Sequence, residues 1–169
     1  DDDVEAAPGE LGEICGYGRL VMEGYHQRPE ATEEATWVDT RGRRWLRTGD
    51  IGSIDADGFL HIVDRKKDMI LSGSQNIYPA DIEAVMRDHP AVADVAVVGV
   101  PSERWGETPL ALVVAAGAGD APDTAGLVEW TNQRVGKQQR LAGAVYVADL
   151  PRNPNGKILK RELRKQYAD

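Results

Sequence analysis

Cysteine occurs once in the 169 residues, at Cys15, so no disulfide can close within the chain and a cross-linked secreted scaffold is excluded. Long apolar runs are missing as well: none approaches the roughly 20 residues that a membrane helix needs. The acidic Asp1-Asp2-Asp3 start is the opposite of a signal-peptide beginning, and the expectation is a soluble protein of a reducing compartment, the cytoplasm. An initial Met is absent, which suggests a piece of a longer polypeptide. Basic excess is lacking: 20 Lys and Arg stand against 28 Asp and Glu, a net charge of −8, so a generic polyanion binder is a poor fit. The three histidines, His26, His61 and His89, are scattered without ligand spacing, and with one cysteine they offer no zinc site and no other metal site. There is no Gly-x-x-x-x-Gly-Lys phosphate loop, Gly-x-Ser-x-Gly elbow, arranged triad, internal repeat or low-complexity tract.

What is present is ordinary globular composition, 41% apolar and 28% charged, in a length that suits one full domain or one domain and a fragment. Charge is unevenly divided. Residues 1–64 carry 6 basic and 15 acidic side chains, residues 65–169 carry 14 and 13, and the last stretch, 134–169, holds 9 against 3. Before Asp64 the pattern is short strands and turns, with Asp39-Thr40-Arg41-Gly42 and Asp55-Ala56-Asp57-Gly58 each lying between β-prone runs as hairpin signals. After it the periods alternate. Met69-Ile70-Leu71, Val95–Val100, Leu110–Ala115 and Val145–Val147 read as strands. Ile82, Val85 and Met86 fall on a helix opened by Pro79 and ended at His89-Pro90. Asp123 or Thr124 would cap a helix carrying Leu127, Trp130 and Val135, and Lys160–Tyr167 closes the chain as a helix. The expected class is α+β: a purely β remnant over 1–64, then a small α+β domain.

Four places could carry chemistry. Asp50, in Arg47-Thr48-Gly49-Asp50, follows a Gly turn and can accept two hydroxyl donors such as a ribose diol; a turn aspartate is the alternative. Gly73, in Leu71-Ser72-Gly73-Ser74, marks either a bulge or a close ligand approach. Trp105 sits among Ser102, Glu103, Arg104 and Glu107, a surface-loop setting, with a half-buried structural tryptophan as the alternative. Pro151-Arg152-Asn153-Pro154-Asn155-Gly156-Lys157 is a stiffened loop that delivers one ammonium to a defined point, or a plain surface loop.

In this order the segments resemble the C-terminal third of an adenylate-forming (AMP-binding) acyl-CoA synthetase, an acid:CoA ligase. The matching text is Gly9–Ile14, Met22-Glu23-Gly24-Tyr25, Trp45–Asp50, Asp57-Gly58-Phe59, Asp64–Ile70 with Gly73, Asn76-Ile77-Tyr78-Pro79, Ile82-Glu83, and Pro151–Lys157 followed by Ile158–Arg161. The resemblance implies the C-terminal β-rich part of the large AMP-binding domain over 1–64, a hinge over 65–67 and the small mobile domain over 68–169. It implies Asp50 and Arg65 as contacts to the nucleotide, Lys67 as the hinge residue, and Lys157 as the catalytic lysine bridging the acid's carboxylate and the ATP α-phosphate. Ser72, Gly73, Ser74 and Trp105 would meet coenzyme A.

The reaction implied is acyl-adenylate formation from ATP, with Mg held mainly by an upstream region, and then thioester formation with CoA, as in fatty acid metabolism. The phosphate loop and acyl pocket would lie upstream, so the chain alone should not adenylate anything, and the acid is not named by these residues. Partners implied are the carboxylic acid, ATP or AMP, CoA, the N-terminal domain and a lysine acetyltransferase acting on Lys157. Two departures stand out: Ser74 replaces a usual Gly beside the expected pantetheine channel, and Lys137-Gln138-Gln139-Arg140-Leu141 lacks the usual Tyr-Lys-x-Pro. The alternatives are an adenylation fragment serving a carrier-protein phosphopantetheine and a noncatalytic binding fragment. Nucleic acid ranks last, because residues 134–169 show no aromatic interleaving for base stacking.

Overall fold

The computed structural model describes residues 4–117 and 123–167. The chain divides into two compact units, Asp1–Lys67 and Asp68–Asp169. The first unit contains β1 (Gly12–Gly16), α1 (Pro29–Glu34), β2 (Thr36–Val38), β3 (Arg44–Ile54) and β4 (Leu60–Arg65). All three strand pairs are antiparallel and all are made to β3. The two expected hairpins form. In the second, Asp55 Oδ1 accepts from the Asp57 and Phe59 amides at 3.0 and 2.9 Å while Gly58 takes φ +86°, the left-handed step that closes the turn. The segment is not purely β: α1 is a six-residue helix with Pro29 at its start, too short to show a helical period in sequence.

The second unit contains β5 (Ile70–Ser72), β6 (Gln75–Ile77), α2 (Pro79–Arg87), β7 (Val92–Ser102), β8 (Gly106–Ala115), α3 (Thr124–Asn132), β9 (Gly143–Tyr146) and α4 (Lys160–Tyr167). The sheet runs β6-β5-β8-β7, and β9 joins β8 in parallel. Both expected helix starts occur: Pro79 opens α2, and Asp123 Oδ1 accepts from Gly126 N at 2.6 Å to cap α3. Helix α3 stops at Asn132, so Val135 packs on the core from the following loop.

The continuous apolar runs have a direct cause. On β7, Val95 and Val97 join one buried cluster with Ile82, Met86 and Leu127 of α2 and α3, while Ala96 and Val98 join another with Leu163 of α4. A strand covered on both faces needs apolar side chains at every position rather than alternate ones. Each fully buried Val, Leu or Ile contributes roughly 1.5–3 kcal/mol, which makes this sheet the rigid frame of the unit. With two sheets and four helices among the described residues, the chain is α+β.

Candidate functional site

In the first unit, Asp50 and Arg65 are directly opposed across the β3/β4 ladder, and Arg65 Nε lies 2.8 Å from Asp50 Oδ1. The approach is a charge contact without hydrogen-bond alignment, so Arg65 Nε has no hydrogen-bond partner although it is shielded from solvent. Gly49 is not a turn glycine. It lies inside the eleven-residue β3 with φ +73°, where the register against β1 shifts between Glu13/Ile51 and Cys15/Arg47. The extra residues on β3 form a bulge, and Thr48 fastens it: its hydroxyl donates to Ile14 O at 2.8 Å and accepts from Asp50 N at 3.1 Å. The bulge re-aims the strand at Asp50, and Arg65 Nη2 passes 3.7 Å from where a Gly49 Cβ would stand. Beside it, Thr48, Gly49, Tyr25 and Arg28 line an open groove of about 600 Å³. There Glu13 Oε2 takes Lys66 Nζ at 2.7 Å and Arg47 Nη1 at 3.8 Å.

In the second unit, Ser72, Gly73, Ser74 and Trp105 come together. Gly73 and Ser74 are the two turn residues between β5 and β6, with Ser72 paired to Gln75. Gly73 has φ +62° and Ser74 does not share a positive φ, the pattern of a two-residue hairpin with Gly first. The serine therefore sits without backbone strain, exposed at the tip. Gly73 is neither bulge nor free donor: its N–H donates to Trp105 O at 2.6 Å, and a Cβ there would stand 3.4 Å from the Trp105 ring. Ser72 pairs with Gly106, and the Leu71 amide donates to Glu107 Oε2 at 2.9 Å. Three consecutive residues, Trp105 to Glu107, thus hold the hairpin. Trp105 remains 48% exposed, with the Arg104 guanidinium 4.6 Å from its ring centroid. The half-exposed indole thus packs by the glycine turn and carries a guanidinium over its ring as a cation–π contact.

Lys157 closes a small hairpin. Arg152 and Ile158 form an antiparallel bridge, Asn153 N donates to Lys157 O at 2.9 Å, and Gly156 takes φ +81°. Asn153 Oδ1 accepts from both Asn155 N at 3.0 Å and Lys157 N at 2.8 Å. Lys157 is exposed, and its ammonium has no ion-pair partner among the described residues. Arg152 is engaged: its guanidinium donates to Gly156 O and pairs with Asp94 on β7.

Lys160, three residues beyond, is the opposite case. Its Nζ lies 2.6 Å from Glu83 Oε1, with both side chains nearly buried, at 12% and 8% exposure. Glu83 Oε1 also accepts from Val97 N at 2.8 Å, an amide on the edge of β7 with no second strand beside it among the described residues. The sequence signal for this pair was an acid at the buried face of α2, between Pro79 and Met86, both spaced to share its side. Lys67 is exposed in the 3₁₀ turn Lys66–Asp68, and Asp68 at its end is buried against Arg164 Nη2 at 3.0 Å. Among the described residues no three His, Cys, Asp or Glu side chains are arranged to hold a metal ion.

The family model for the AMP-binding enzyme C-terminal domain matches residues 81–157. The chain is 46% identical over 164 residues to the 2-succinylbenzoate–CoA ligase of Geobacillus kaustophilus, covering 97% of this chain and 32% of that protein. It is 43% identical over 170 residues to the long-chain-fatty-acid–CoA ligase FadD13 of Mycobacterium tuberculosis, covering 99% and 32%. Among solved structures, the o-succinylbenzoate CoA synthetase MenE of Bacillus subtilis, in complex with the acyl-adenylate intermediate, superposes with a TM-score of 0.83 at 38% identity, over 97% of this chain and 32% of that one. The chain thus spans about a third of the length of the curated relatives it matches. Residues 81–157 thus match the AMP-binding enzyme C-terminal domain, and over nearly its whole length the chain is similar to about a third of several acid:CoA ligases.

Proposed function

We propose that the protein containing this chain is an ATP-dependent, AMP-forming carboxylic acid:CoA ligase of cytoplasmic fatty or related acid metabolism, and that this segment supplies the switching half of its machinery. The observation that carries the proposal is the contrast at the C-terminal end: Lys157, at the tip of a closed hairpin, has no ion-pair partner among the described residues, while Lys160 is committed to Glu83. In the first half-reaction the acid's carboxylate oxygen attacks the α-phosphorus of ATP, the bond to the β-phosphate breaks and pyrophosphate leaves. Lys157 offsets the negative charge that gathers between the two anions. In the second, the CoA sulfur attacks the acyl carbon, the acyl–phosphate bond breaks, AMP leaves and the thiol proton is lost to solvent. Trp105 and the Ser72-Gly73-Ser74 turn border the thiol's approach. Since Gly73 N–H is already bonded to Trp105 O, that glycine serves by close approach and not by donation. Asp50 grips the ribose hydroxyls, Arg65 helps hold the same nucleotide, and residues 65–67, Lys67 above all, form the hinge between the half-reactions. Mg, the phosphate loop and the acyl pocket belong to the upstream region, and acetylation of Lys157 removes its charge and stops adenylation.

The test is Lys157→Ala in the full-length enzyme. Loss of an electrostatic donor at a developing charge costs on the order of 10² to 10³ in rate. Pyrophosphate release should fall by that factor, while a supplied acyl adenylate is still converted to thioester. Unchanged pyrophosphate release would sink the proposal.

A further inference from the structure

We propose that Asp94 and Arg152 form a clamp that positions Lys157, the inference resting on the assignment of Lys157 as the adenylation lysine. Arg152 opens the hairpin that Lys157 closes, and its two terminal nitrogens do different things: Nη1 donates to the carbonyl of Gly156, and Nη2 pairs with Oδ2 of Asp94, 58 residues earlier in the chain. Gly156 is the residue immediately before Lys157 and occupies a left-handed φ of +81°. A guanidinium can make both contacts at once because its donors form a rigid planar fork. Asp94 is a firm anchor: it lies at the start of β7, next to the register shift between Val92 and Asp94, and its Oδ1 accepts from Val95 N at 2.9 Å. The next four residues of β7, Val95 to Val98, are fully buried. The loop is thereby tied to the most rigid element of its unit through one side chain.

The clamp has an electrostatic consequence as well. Arg152 and Lys157 are neighbouring cations on one hairpin, and both would be drawn to the same anionic substrate. With Asp94 neutralising Arg152 and the fork turned back onto Gly156, Lys157 is left as the hairpin's free ammonium. Asp94 and Arg152 are accordingly positioning residues that act through Lys157.

The experiment uses the full-length enzyme and two readouts. Amide hydrogen exchange of residues 153–158 should rise about tenfold in Asp94→Ala and in Arg152→Lys, whose compact ammonium lacks the planar fork that presents two separate nitrogens to the two acceptors, with exchange in α2 unchanged. Asp94→Glu should recover most of the protection, and Lys157→Ala should leave it as in the parent. In kinetics, with 2-succinylbenzoate, palmitate and ferulate tried in turn as the acid, Asp94→Ala should lower pyrophosphate release on the order of tenfold to a hundredfold, the scale of a misplaced catalytic group. Thioester formation from supplied acyl adenylate should stay within about twofold. In the Lys157→Ala background, adding Asp94→Ala should cost nothing more. Unchanged loop exchange in Asp94→Ala, equal loss in both half-reactions, or an additive loss in the double variant would each overturn the clamp. Normal pyrophosphate release in Lys157→Ala alone would instead overturn the assignment on which it rests.

Discussion

Replacing Lys160 by Met should destabilise the second unit severely, although the same change at Lys157 should leave its stability untouched. Lys160 Nζ sits 2.6 Å from Glu83 Oε1, and the two side chains are only 12% and 8% exposed. Once the ammonium is gone, the carboxylate keeps the Val97 amide at 2.8 Å and a weak contact with Arg87 at 3.4 Å, neither of which neutralises it fully. Removing one partner of a buried ion pair typically costs about 3–5 kcal/mol. In a unit of roughly 100 residues each kcal/mol shifts the midpoint by about 4–8 °C, so Tm should fall by at least about 12 °C. Lys157→Met, at an exposed position, should stay within about 0.5 kcal/mol. Adding Glu83→Gln to Lys160→Met should recover much of the loss, because the amide oxygen still accepts from Val97 N–H while the stranded charge is gone. Urea unfolding of the three variants decides it. A Lys160→Met protein as stable as the parent, or a double variant as weak as the single, would refute the reasoning.

In the full-length enzyme, Trp105→Ala should raise the KM for CoA and leave acyl-adenylate formation near normal, because the indole is half-exposed over Gly73 and not part of either buried cluster; equal damage to both half-reactions would mean lost packing. Acidification should loosen the first unit. Burial works against the Asp39 carboxylate, but hydrogen bonds from the Trp45 indole, the Arg43 amide and guanidinium and the Arg41 amide hold its pKa well below the usual range. His61 first, then the Phe59 and Asp57 amides, hold Asp55 low against some burial. Groups whose folded pKa is lowered contribute stability above the unfolded value of about 3.9, and that stability is lost as pH falls through the folded value. Acid unfolding followed by Trp37 and Trp45 fluorescence should therefore flatten in Asp39→Asn/Asp55→Asn, and an unchanged acid limb would contradict this. Lys67→Pro fixes φ near −65° inside the 3₁₀ turn Lys66–Asp68 and should slow one half-reaction more than the other. Equal rates for both would count against a hinge at 65–67.

Most strands and the longer helices were legible because their causes are local, whereas the short β1 and β6 carry no apolar run to mark them. Pro79 and Asp123 mark helix starts, and Asp55-Ala56-Asp57-Gly58 encodes its own turn through one carboxylate that accepts from two amides. Illegible were features whose causes lie in a partner strand. Gly49 looks like a turn glycine in text, and only its opposition to β1 shows that it absorbs a register shift and leaves Asp50 facing Arg65. Gly73 likewise takes its meaning from Trp105, 32 positions later, which covers it and takes its N–H. Helix α1 escaped notice because six residues span less than two turns, too few for a 3.6-residue period to emerge.

The same limit explains why residues at the candidate site could be named while their supports could not. Lys157 and Lys160 are identical side chains three positions apart, and nothing local separates their roles. What separates them is distant: Glu83 and the edge amide of Val97 draw Lys160 into the protein, whereas Asp94 holds Arg152 so that the hairpin ends in a cation with no partner among the described residues. Both acids lie more than 55 residues before the cations they bind, on elements flanking or forming the same buried strand. A flexible four-carbon ammonium acquires a defined position only from what surrounds it. The position of Lys157 therefore depends on β7 as much as on its own loop, and substitutions along β7 that spare Lys157 should still reach it.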